Sequence, residues 1–409
     1  MIRGGILLFL LCCSAFSKAQ NLGFTLTDGQ RRVQIPFEVY NNLIVVPVVL
    51  NDALPLKFIL DTGVRTAILT QKTFTDILNL PYSRKYSIAG VGGKKIVDAY
   101  VANNVSLSLP GVVGRGHAML VLEEDYLELR NYLGTDVHGI LGYELFSRFI
   151  IQVDYEKKLL TFMTPDRFRK KRKFQMLPMK IEDTKPYIIT PVELEDGTTL
   201  NAKLLMDAGA SHSLLLDPQS DSRIKVPQNV VSSVIGRGLG GEIFGKIGRI
   251  KSVSLGTHTL NNVIANFPDP NSYSDTLKRS FAFRNGSLGG EIMSRFTVVF
   301  NFPQEEFYFK KNAAFKKSFH YNLSGMIVKA KGAQLNVFEV TEVRKQSAAD
   351  RAGVLPGDLI LSINGVSYPM LNLNLVNAFF NNRPQKKIRM EINRDGQRMK
   401  KEFILEDQI

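Results

Sequence analysis

Cysteine is almost absent from this chain of 409 residues, and both cysteines, Cys12 and Cys13, lie near its start. Residues 1–19 combine a basic residue, a short apolar run and a small-residue cleavage pattern, which together predict a secretory signal peptide. The mature chain is expected to begin at Gln20 and to lie in the periplasm or outside the cell. Such a chain has no disulfide, no cysteine nucleophile and no thiolate metal ligand.

Long apolar runs, low-complexity tracts and long stretches of helical periodicity are also missing. The apolar run 6–13 is shorter than the ~20 residues that a membrane span needs, which favours a signal peptide over a short membrane anchor. With 44% hydrophobic and 22% charged residues, the chain is neither disordered nor a coiled coil. Its length predicts roughly two to four domains.

Acidic residues are too few to balance the basic ones. There are 52 Lys and Arg against 38 Asp and Glu, a net charge of +14, and removal of Arg3 and Lys18 leaves 14 − 2 = +12. Much of this charge is concentrated in residues 167–173, between Pro165 and Pro178. Since no aromatic stacking platform is interleaved with it, we interpret residues 167–178 as a solvated basic linker rather than a nucleic-acid site.

A long internal repeat is the most informative feature. Asp61 and Asp207 lie in similar segments 207 − 61 = 146 residues apart, and residues 139–149 match residues 286–296 at an offset of 286 − 139 = 147. A glycine cluster begins 29 residues after each Asp, since 90 − 61 = 29 and 236 − 207 = 29. The clusters are Gly90, Gly92 and Gly93, and Gly236, Gly238, Gly240 and Gly241. This spacing is far longer than in solenoid repeats and predicts a duplicated lobe.

Each copy contains short apolar or alternating segments bounded by Gly, Pro, Asn or Asp, which predict strands. One short helix is expected after the glycine motif of each copy, at residues 143–148 and 291–295. We therefore expect a mainly β fold in which each copy forms a barrel-like lobe. The expected strands are 43–50, 57–60, 105–109, 149–155 and 159–163, then 187–194, 202–206, 250–255, 296–302 and 306–310.

The duplicated aspartates predict paired carboxylates. An Asp that precedes a small residue and a Gly is by itself typical of a turn. If two such lobes pack about a pseudo-twofold axis, Asp61 and Asp207 face each other. Two adjacent carboxylates cannot both ionise, so one acts as an acid and the other as a base at the same pH. A water held between them can then attack a substrate amide without a covalent intermediate.

These motifs resemble those of bacterial retropepsin-like or pepsin-like aspartic proteases. Asp61, Thr62 and Gly63 match the signature triplet, while residues 140–142 and 288–289 match the apolar element with glycine that packs beside it. The Asp-to-Gly distances agree, since 142 − 61 = 81 and 289 − 207 = 82. The resemblance implies a duplicated bilobal β-barrel fold, with lobes at residues 20–166 and 179–313, and aspartic endopeptidase activity.

The resemblance also implies roles for individual residues. Asp61 and Asp207 are the expected catalytic pair, and no metal or organic cofactor is implied. A β-hairpin flap is expected to fold over the substrate, with the glycine clusters at its tip. The expected substrate-binding residues are Thr62, Gly63, Gly209, Gly90, Gly92, Gly236 and Gly238.

The second copy departs from the family pattern at Ala208, where the family has a Thr or Ser whose hydroxyl bonds across to the other loop. Ala208 cannot make that bond. In the first copy Val64 and Arg65 follow the triplet where smaller or hydroxyl residues are usual. Arg65 either lowers the pKa of the carboxyl pair or points to solvent. These departures argue for reduced or conditional activity.

Two other site types are set aside. Gly236, Gly238 and Gly241 satisfy the spacing of a dinucleotide-binding loop, but no helix is expected after them. The histidines are not spaced as metal ligands on a helix, so we interpret them as core or surface residues. They are His117, His138, His212, His258 and His320.

Residues 318–409 have a different pattern that resembles a PDZ domain, most specifically at residues 347–365. The resemblance implies an α+β domain in which a peptide adds to a strand edge and a preceding loop binds its terminal carboxylate. The expected groove lies between residues 326–331 and 371–381. The expected peptide-binding loop residues are Ser324, Gly325 and Met326.

The sequence thus predicts an exported, monomeric aspartic endopeptidase whose PDZ domain recruits polypeptide substrates or a partner peptide. Neither nucleic acid nor a membrane span is expected. The alternative is a non-catalytic peptide-binding protein on a degenerate protease scaffold, and Ala208 and Arg65 are the residues that favour it.

Overall fold

The computed structural model describes residues 22–89, 92, 96–270 and 282–409. The predicted signal peptide and the predicted site residue Gly90 lie outside these residues. Within the described ranges, no helix is long and apolar enough to cross a membrane.

The first lobe is built from short strands and three short helices. Its strands are β1 Gly23–Leu26, β2 Arg32–Pro36, β3 Glu38–Tyr40, β4 Leu43–Leu50, β5 Leu54–Leu60, β6 Ile68–Leu69, β7 Tyr82–Ala89, β8 Ile96–Leu109, β9 Val112–Leu122, β10 Gly139–Leu141, β11 Ile150–Asp154 and β12 Leu159–Met163. Its helices are α1 Thr73–Ile77, α2 Leu129–Leu133 and α3 Tyr143–Phe146.

The second lobe repeats this plan. Its strands are β13 Gln175–Pro178, β14 Lys180–Glu182, β15 Lys185–Glu193, β16 Thr199–Met206, β17 Leu214–Leu216, β18 Val230–Gly238, β19 Gly241–Leu255, β20 His258–Pro268, β21 Gly286–Leu288, β22 Phe296–Asn301 and β23 Glu306–Lys311. Its described helix is α4 Gly290–Met293.

Each lobe contains a closed ring of strands with the same order. In the first lobe the ring runs β4-β5-β10-β6-β9-β8 and closes because β8 also adjoins β4. In the second lobe it runs β15-β16-β21-β17-β20-β19 and closes through a β15–β19 pairing. Closure leaves no strand edge exposed within the ring and encloses an apolar core. The expected duplicated, mainly β bilobal fold is confirmed.

A further sheet joins the two lobes in the order β13-β23-β22-β11-β12-β2. At its centre β11 and β22 pair antiparallel, with Val153 opposite Val298. Phe146 of α3 packs on Phe300 and Phe302 of the other lobe, at ring-centroid distances of 5.4 and 5.1 Å. One apolar core therefore extends through both lobes. β13 falls within the predicted linker 167–178 and forms one edge of this sheet.

The C-terminal domain has its own sheet and core. Its sheet order is β24-β25-β26-β28-β29, with β27 beside β26, and its apolar cluster is separate from that of the lobes. Its elements are β24 Met326–Lys331, β25 Val337–Val343, α5 Ala348–Arg351, β26 Leu359–Ile363, β27 Val366–Ser367, α6 Leu373–Phe380, β28 Lys387–Arg394 and β29 Gln397–Ile404.

Candidate active site

The two repeated aspartates occupy equivalent positions, each directly after a strand of its barrel. Asp61 follows β5 and its backbone N–H donates to the Leu141 carbonyl at 2.8 Å. Asp207 follows β16 and its N–H donates to the Leu288 carbonyl at 2.9 Å. The parallel pairs β5–β10 and β16–β21 set this register. Each Asp loop is thus held by the second motif of its own repeat.

The glycines of that second motif are required by close backbone contact. A Cβ atom at Gly142 would lie 2.2 Å from the Val64 carbonyl oxygen, and one at Gly289 would lie 2.1 Å from the His212 carbonyl oxygen. Both distances are far below van der Waals contact. Only glycine therefore lets the apolar element pack against the Asp loop in each lobe.

The two Asp loops meet where the lobes adjoin, and the carboxyl groups of Asp61 and Asp207 hydrogen-bond to each other. Gly63 N–H donates to Asp61 Oδ1 at 2.6 Å, and Gly209 N–H donates to Asp207 Oδ1 at 3.1 Å. A Cβ at Gly209 would lie 2.2 Å from Asp61 Cγ. The predicted residues Asp61, Asp207, Gly63 and Gly209 are therefore brought together in one site.

Electrostatics separates the two carboxyl groups. Burial and the negative charge of Asp207 raise the pKa of Asp61 to about 8, against the N–H groups of Gly63 and Gly209. Burial also raises the pKa of Asp207, but the positive charge of Arg284 opposes that rise. The pair therefore holds one shared proton at neutral pH, and Asp61 is its favoured site.

Thr62 of the first Asp loop makes side-chain hydrogen bonds to the second lobe, whereas the equivalent residue Ala208 makes none in return. Its side chain is fully buried, its hydroxyl donates to the Met206 carbonyl of the other lobe, and it accepts a hydrogen bond from Ala208 N–H at 2.9 Å. Ala208 is also buried and has no hydroxyl to return a bond. Thr62 therefore makes both hydroxyl bonds between the two loops, and its buried side chain faces away from the solvent-accessible part of the site.

Thr62→Val is expected to lower the free energy of unfolding by about 2 kcal/mol, because Met206 O and Ala208 N–H lose their partner in a buried setting. Chemical denaturation of the mature chain measures this. Thr25→Val is the matched control, since that hydroxyl makes one long bond of 3.4 Å at a partly buried position. Equal losses in the two variants would show that Thr62 does not stabilise the loops.

Arg65 and Arg284 differ in their relation to the carboxyl pair. Arg65 is exposed and is not among the main causes that shift the pKa of either Asp. Arg284, which lies just before β21, lowers the pKa of Asp207 and, after the larger effect of burial, that of His212. Arg284 was not predicted from the sequence, because the matching position of the first repeat is Val137 and the duplication therefore carries no signal for it.

His212 lies next to the second Asp loop as a half-buried neutral residue. Its Nε2 lies 3.0 Å from Ser287 Oγ, and burial lowers its pKa to about 4. His212 is therefore neutral at any pH well above about 4. Among the described residues, no group of three or more His, Cys, Asp or Glu side chains could hold a metal ion.

Each lobe extends one long hairpin, β7–β8 in the first and β18–β19 in the second, and the two tips touch. A Cβ at Gly92 would lie 2.0 Å from the Gly241 carbonyl oxygen, and both glycines have positive φ, +100° and +122°. Only glycine suits this contact. Gly236 and Gly238 lie within β18 rather than in the turn, so they flank the tip that the sequence analysis assigned to them.

The predicted PDZ loop uses its N–H groups internally. Gly325 N–H donates to Asn322 Oδ1 at 3.0 Å, and Met326 N–H donates to Ser324 Oγ at 3.2 Å. Ser324 and Met326 are buried. In this arrangement the loop does not offer those two N–H groups to a peptide carboxylate, in contrast to the role that the resemblance implied.

Comparison with known families agrees with this geometry. The family model described as aspartyl protease matches the chain twice, at residues 46–145 and 190–290, once in each lobe. The PDZ domain model matches residues 339–394. No curated protein matches the chain significantly. The fold and the paired aspartates thus define an aspartyl-protease-like bilobal domain followed by a PDZ domain, and the resemblance stated from the sequence is confirmed.

Proposed function

We propose that this protein is an aspartic endopeptidase that hydrolyses peptide bonds with a water activated by Asp61 and Asp207. The observation that supports this most strongly is the contact between the two carboxyl groups, each of which has a raised pKa. A scaffold that only bound peptides would have no need for two carboxyl groups in contact in a poorly solvated site, because loss of solvent opposes their ionisation.

The proposed reaction starts from protonated Asp61 and ionised Asp207. Asp207 accepts a proton from the bound water as its oxygen attacks the carbonyl carbon of the scissile amide. Asp61 donates its proton to the carbonyl oxygen, which gives a neutral tetrahedral diol. Collapse of the diol breaks the C–N bond as the leaving nitrogen takes the proton from Asp207, while a diol hydroxyl gives its proton to Asp61 and becomes the carbonyl of the product acid. No bond forms between enzyme and substrate.

Other residues support binding rather than proton transfer. Gly63 and Gly209 leave the space beside the carboxyl groups free of side chains, which lets an extended substrate backbone approach. We further propose that the two hairpins cover the substrate from above, since one arises from each lobe and their tips meet at Gly92 and Gly241.

Export, recruitment and a monomeric state belong to the same proposal. Both carboxyl groups come from one chain, so the site is complete without a second copy. The predicted signal peptide directs the protein out of the cytoplasm, and the PDZ domain brings peptides to the lobes.

A peptide mimic with a hydroxyl in place of the scissile amide, such as pepstatin, tests the proposal. The hydroxyl replaces the water between the carboxyl groups, so binding at about 100 times Kd should stabilise the mature chain by about 2.7 kcal/mol and raise its Tm. Asp207→Asn should abolish the shift. An equal shift in this variant would favour the alternative, a peptide-binding protein that does not use the carboxyl pair.

A further inference from the structure

The groove of the PDZ domain is covered by the first lobe. The covering part is the docking segment, defined as residues 128–134 and containing α2. On the strand side, Asn131 Nδ2 donates to the Ala330 carbonyl of β24 at 2.8 Å. On the helix side, Gly134 packs so closely on α6 that an added Cβ would lie 2.4 Å from Leu373 Cβ. The docking segment therefore contacts both walls of the groove.

Among the described residues, β24 is the edge strand of its sheet and pairs only with β25. Its open edge is where an incoming peptide strand would add. Arg130 extends the contact, because its guanidinium donates to the carbonyls of Gly332, at 3.4 Å, and Ala333 at the end of β24. The docking segment thus lies where a bound peptide would lie.

Apart from the packing of Gly134 on Leu373, this contact is made of polar groups, which can exchange one partner for another. Elsewhere in the first lobe, Asn41 Oδ1 accepts a hydrogen bond from Asn377 of α6 at 3.1 Å. The apolar cores of the lobes and of the PDZ domain remain separate. Contacts of this kind between domains permit relative motion.

The PDZ domain is anchored independently on the second lobe. Arg249 of β19 pairs with Asp407 at 2.6 Å and donates to the carbonyls of Phe319, at 3.1 Å, and Ile409, at 2.9 Å. Both ends of the PDZ domain are therefore held by one lobe, while its groove contacts the other. If the docking segment leaves the groove, the PDZ domain therefore stays attached to the second lobe.

The docking segment also holds the hairpin of the second lobe. The Glu128 carboxylate pairs with Lys329 of β24 at 2.8 Å and with Arg237 of β18 at 3.2 Å. Tyr132 accepts a hydrogen bond from Arg237 at 3.0 Å, and its ring lies 4.3 Å from the Lys329 ammonium. A helix as short as α2 is not stable alone, so its position depends on both partners.

We propose that the docking segment is an internal ligand of the PDZ groove, and that Glu128 and Tyr132 are positioning residues that tie the β18–β19 hairpin to groove occupancy. A peptide that enters the groove must displace the docking segment, which releases the hairpin and opens the cleft. The effect on cleavage rests on the proposed protease function, whereas the occupancy of the groove does not.

The chemistry of the contact identifies the displacing ligand. Lys329 loses the Glu128 carboxylate when the docking segment leaves, so the ligand must supply a negative charge at that point. An extended acidic peptide provides both a strand for the β24 edge and a carboxylate for Lys329. A basic or neutral peptide leaves the Lys329 ammonium without its counter-charge.

The double variant Arg130→Ala/Asn131→Ala in the full mature chain tests the proposal, because it weakens docking and leaves Glu128 and Tyr132 in place. We expect amide hydrogen exchange to accelerate by about five-fold in β24 and in the β18–β19 hairpin. Binding of a pool of short acidic peptides should tighten, and kcat/KM for a long polypeptide should rise. Asn382→Ala/Arg383→Ala is the control, since both side chains are exposed on the same domain.

Unchanged exchange in both β24 and the hairpin would overturn the proposal, as would equal effects in the control. Faster exchange in β24 alone would overturn the link through Glu128. Lys329→Gln is a milder second variant that removes only the cation contacted by Glu128 and Tyr132. It should also accelerate amide hydrogen exchange in β24 and in the β18–β19 hairpin. Hydrogen exchange needs no catalysis, so absence of cleavage in every variant would contradict the proposed protease while leaving this test intact.

Discussion

Asp61→Asn and Asp207→Asn are each expected to lower kcat/KM for peptide cleavage by about a thousand-fold or more, since each removes one half of the proton transfer. Asn at position 61 cannot protonate the carbonyl oxygen, and Asn at position 207 cannot accept a proton from the water. Steady-state kinetics of the mature chain on one cleaved peptide measures both losses. The double variant should be no worse than either single variant, because the two groups act as a unit.

The fold of these variants provides the control. Asn has the shape of Asp, and its neutral amide avoids the burial cost that raises the pKa of both carboxyl groups. We therefore expect the Tm at neutral pH to be unchanged or higher in each variant. Activity that persists above one tenth of the parent value in either variant would contradict the assigned roles.

The second large effect is the dependence of cleavage on pH. Activity needs Asp61 protonated and Asp207 ionised. Since the pKa of Asp61 is raised to about 8, kcat/KM should fall as pH rises through that value, approaching about ten-fold per pH unit. On the acid side, activity should fall where Asp207 becomes protonated, at a pKa above its ordinary value. The two limbs report the apparent pKa values of the coupled pair.

Two arginine variants separate the electrostatic contributions. Arg284→Gln removes the charge that lowers the pKa of Asp207, so the acid limb should move to higher pH. Arg65→Gln is the matched control and should leave both limbs in place, because Arg65 is exposed and is not among the main causes of either pKa shift. If only the Arg65 variant shifts a limb of the pH profile, Arg65 rather than Arg284 is the arginine that acts on the carboxyl pair.

The sequence alone predicted those features of the molecule that occur in both repeats. The common offset of Asp61 and Asp207 with residues 139–149 and 286–296 required two equivalent lobes. In each lobe the structure pairs the Asp loop with the second motif through a parallel strand, as in Asp61 N–H to Leu141 O. Repeated motifs are informative because both copies must satisfy the same backbone geometry.

Features that belong to one copy were not predictable in this way. Arg284 has no counterpart in the first lobe, and the orientation of Arg65 depends on local packing. The contacts of residues 128–134 with the PDZ groove and with Arg237 join three separate parts of the chain. No periodicity or spacing indicates such contacts, because each depends on how complete domains pack.

The glycine clusters illustrate a partial success. Their equal distance from each Asp supported the duplication, and the family resemblance implied a hairpin with these glycines at its tip; β7–β8 and β18–β19 are hairpins at these places. Composition could not separate the glycine that forms a tip contact, Gly241, from Gly236, which lies within a strand. The difference lies in backbone conformation, since Gly241 alone of these two has a positive φ.

The most direct measurement is to incubate the purified mature chain and its Asp61→Asn variant with a diverse peptide library from about pH 3 to 8, where a coupled carboxyl pair changes protonation. Mass spectrometry then identifies the products. Cleavage by the parent and none by the variant is the predicted result. Cleavage by neither, or equal cleavage by both, would contradict an enzyme built on Asp61 and Asp207.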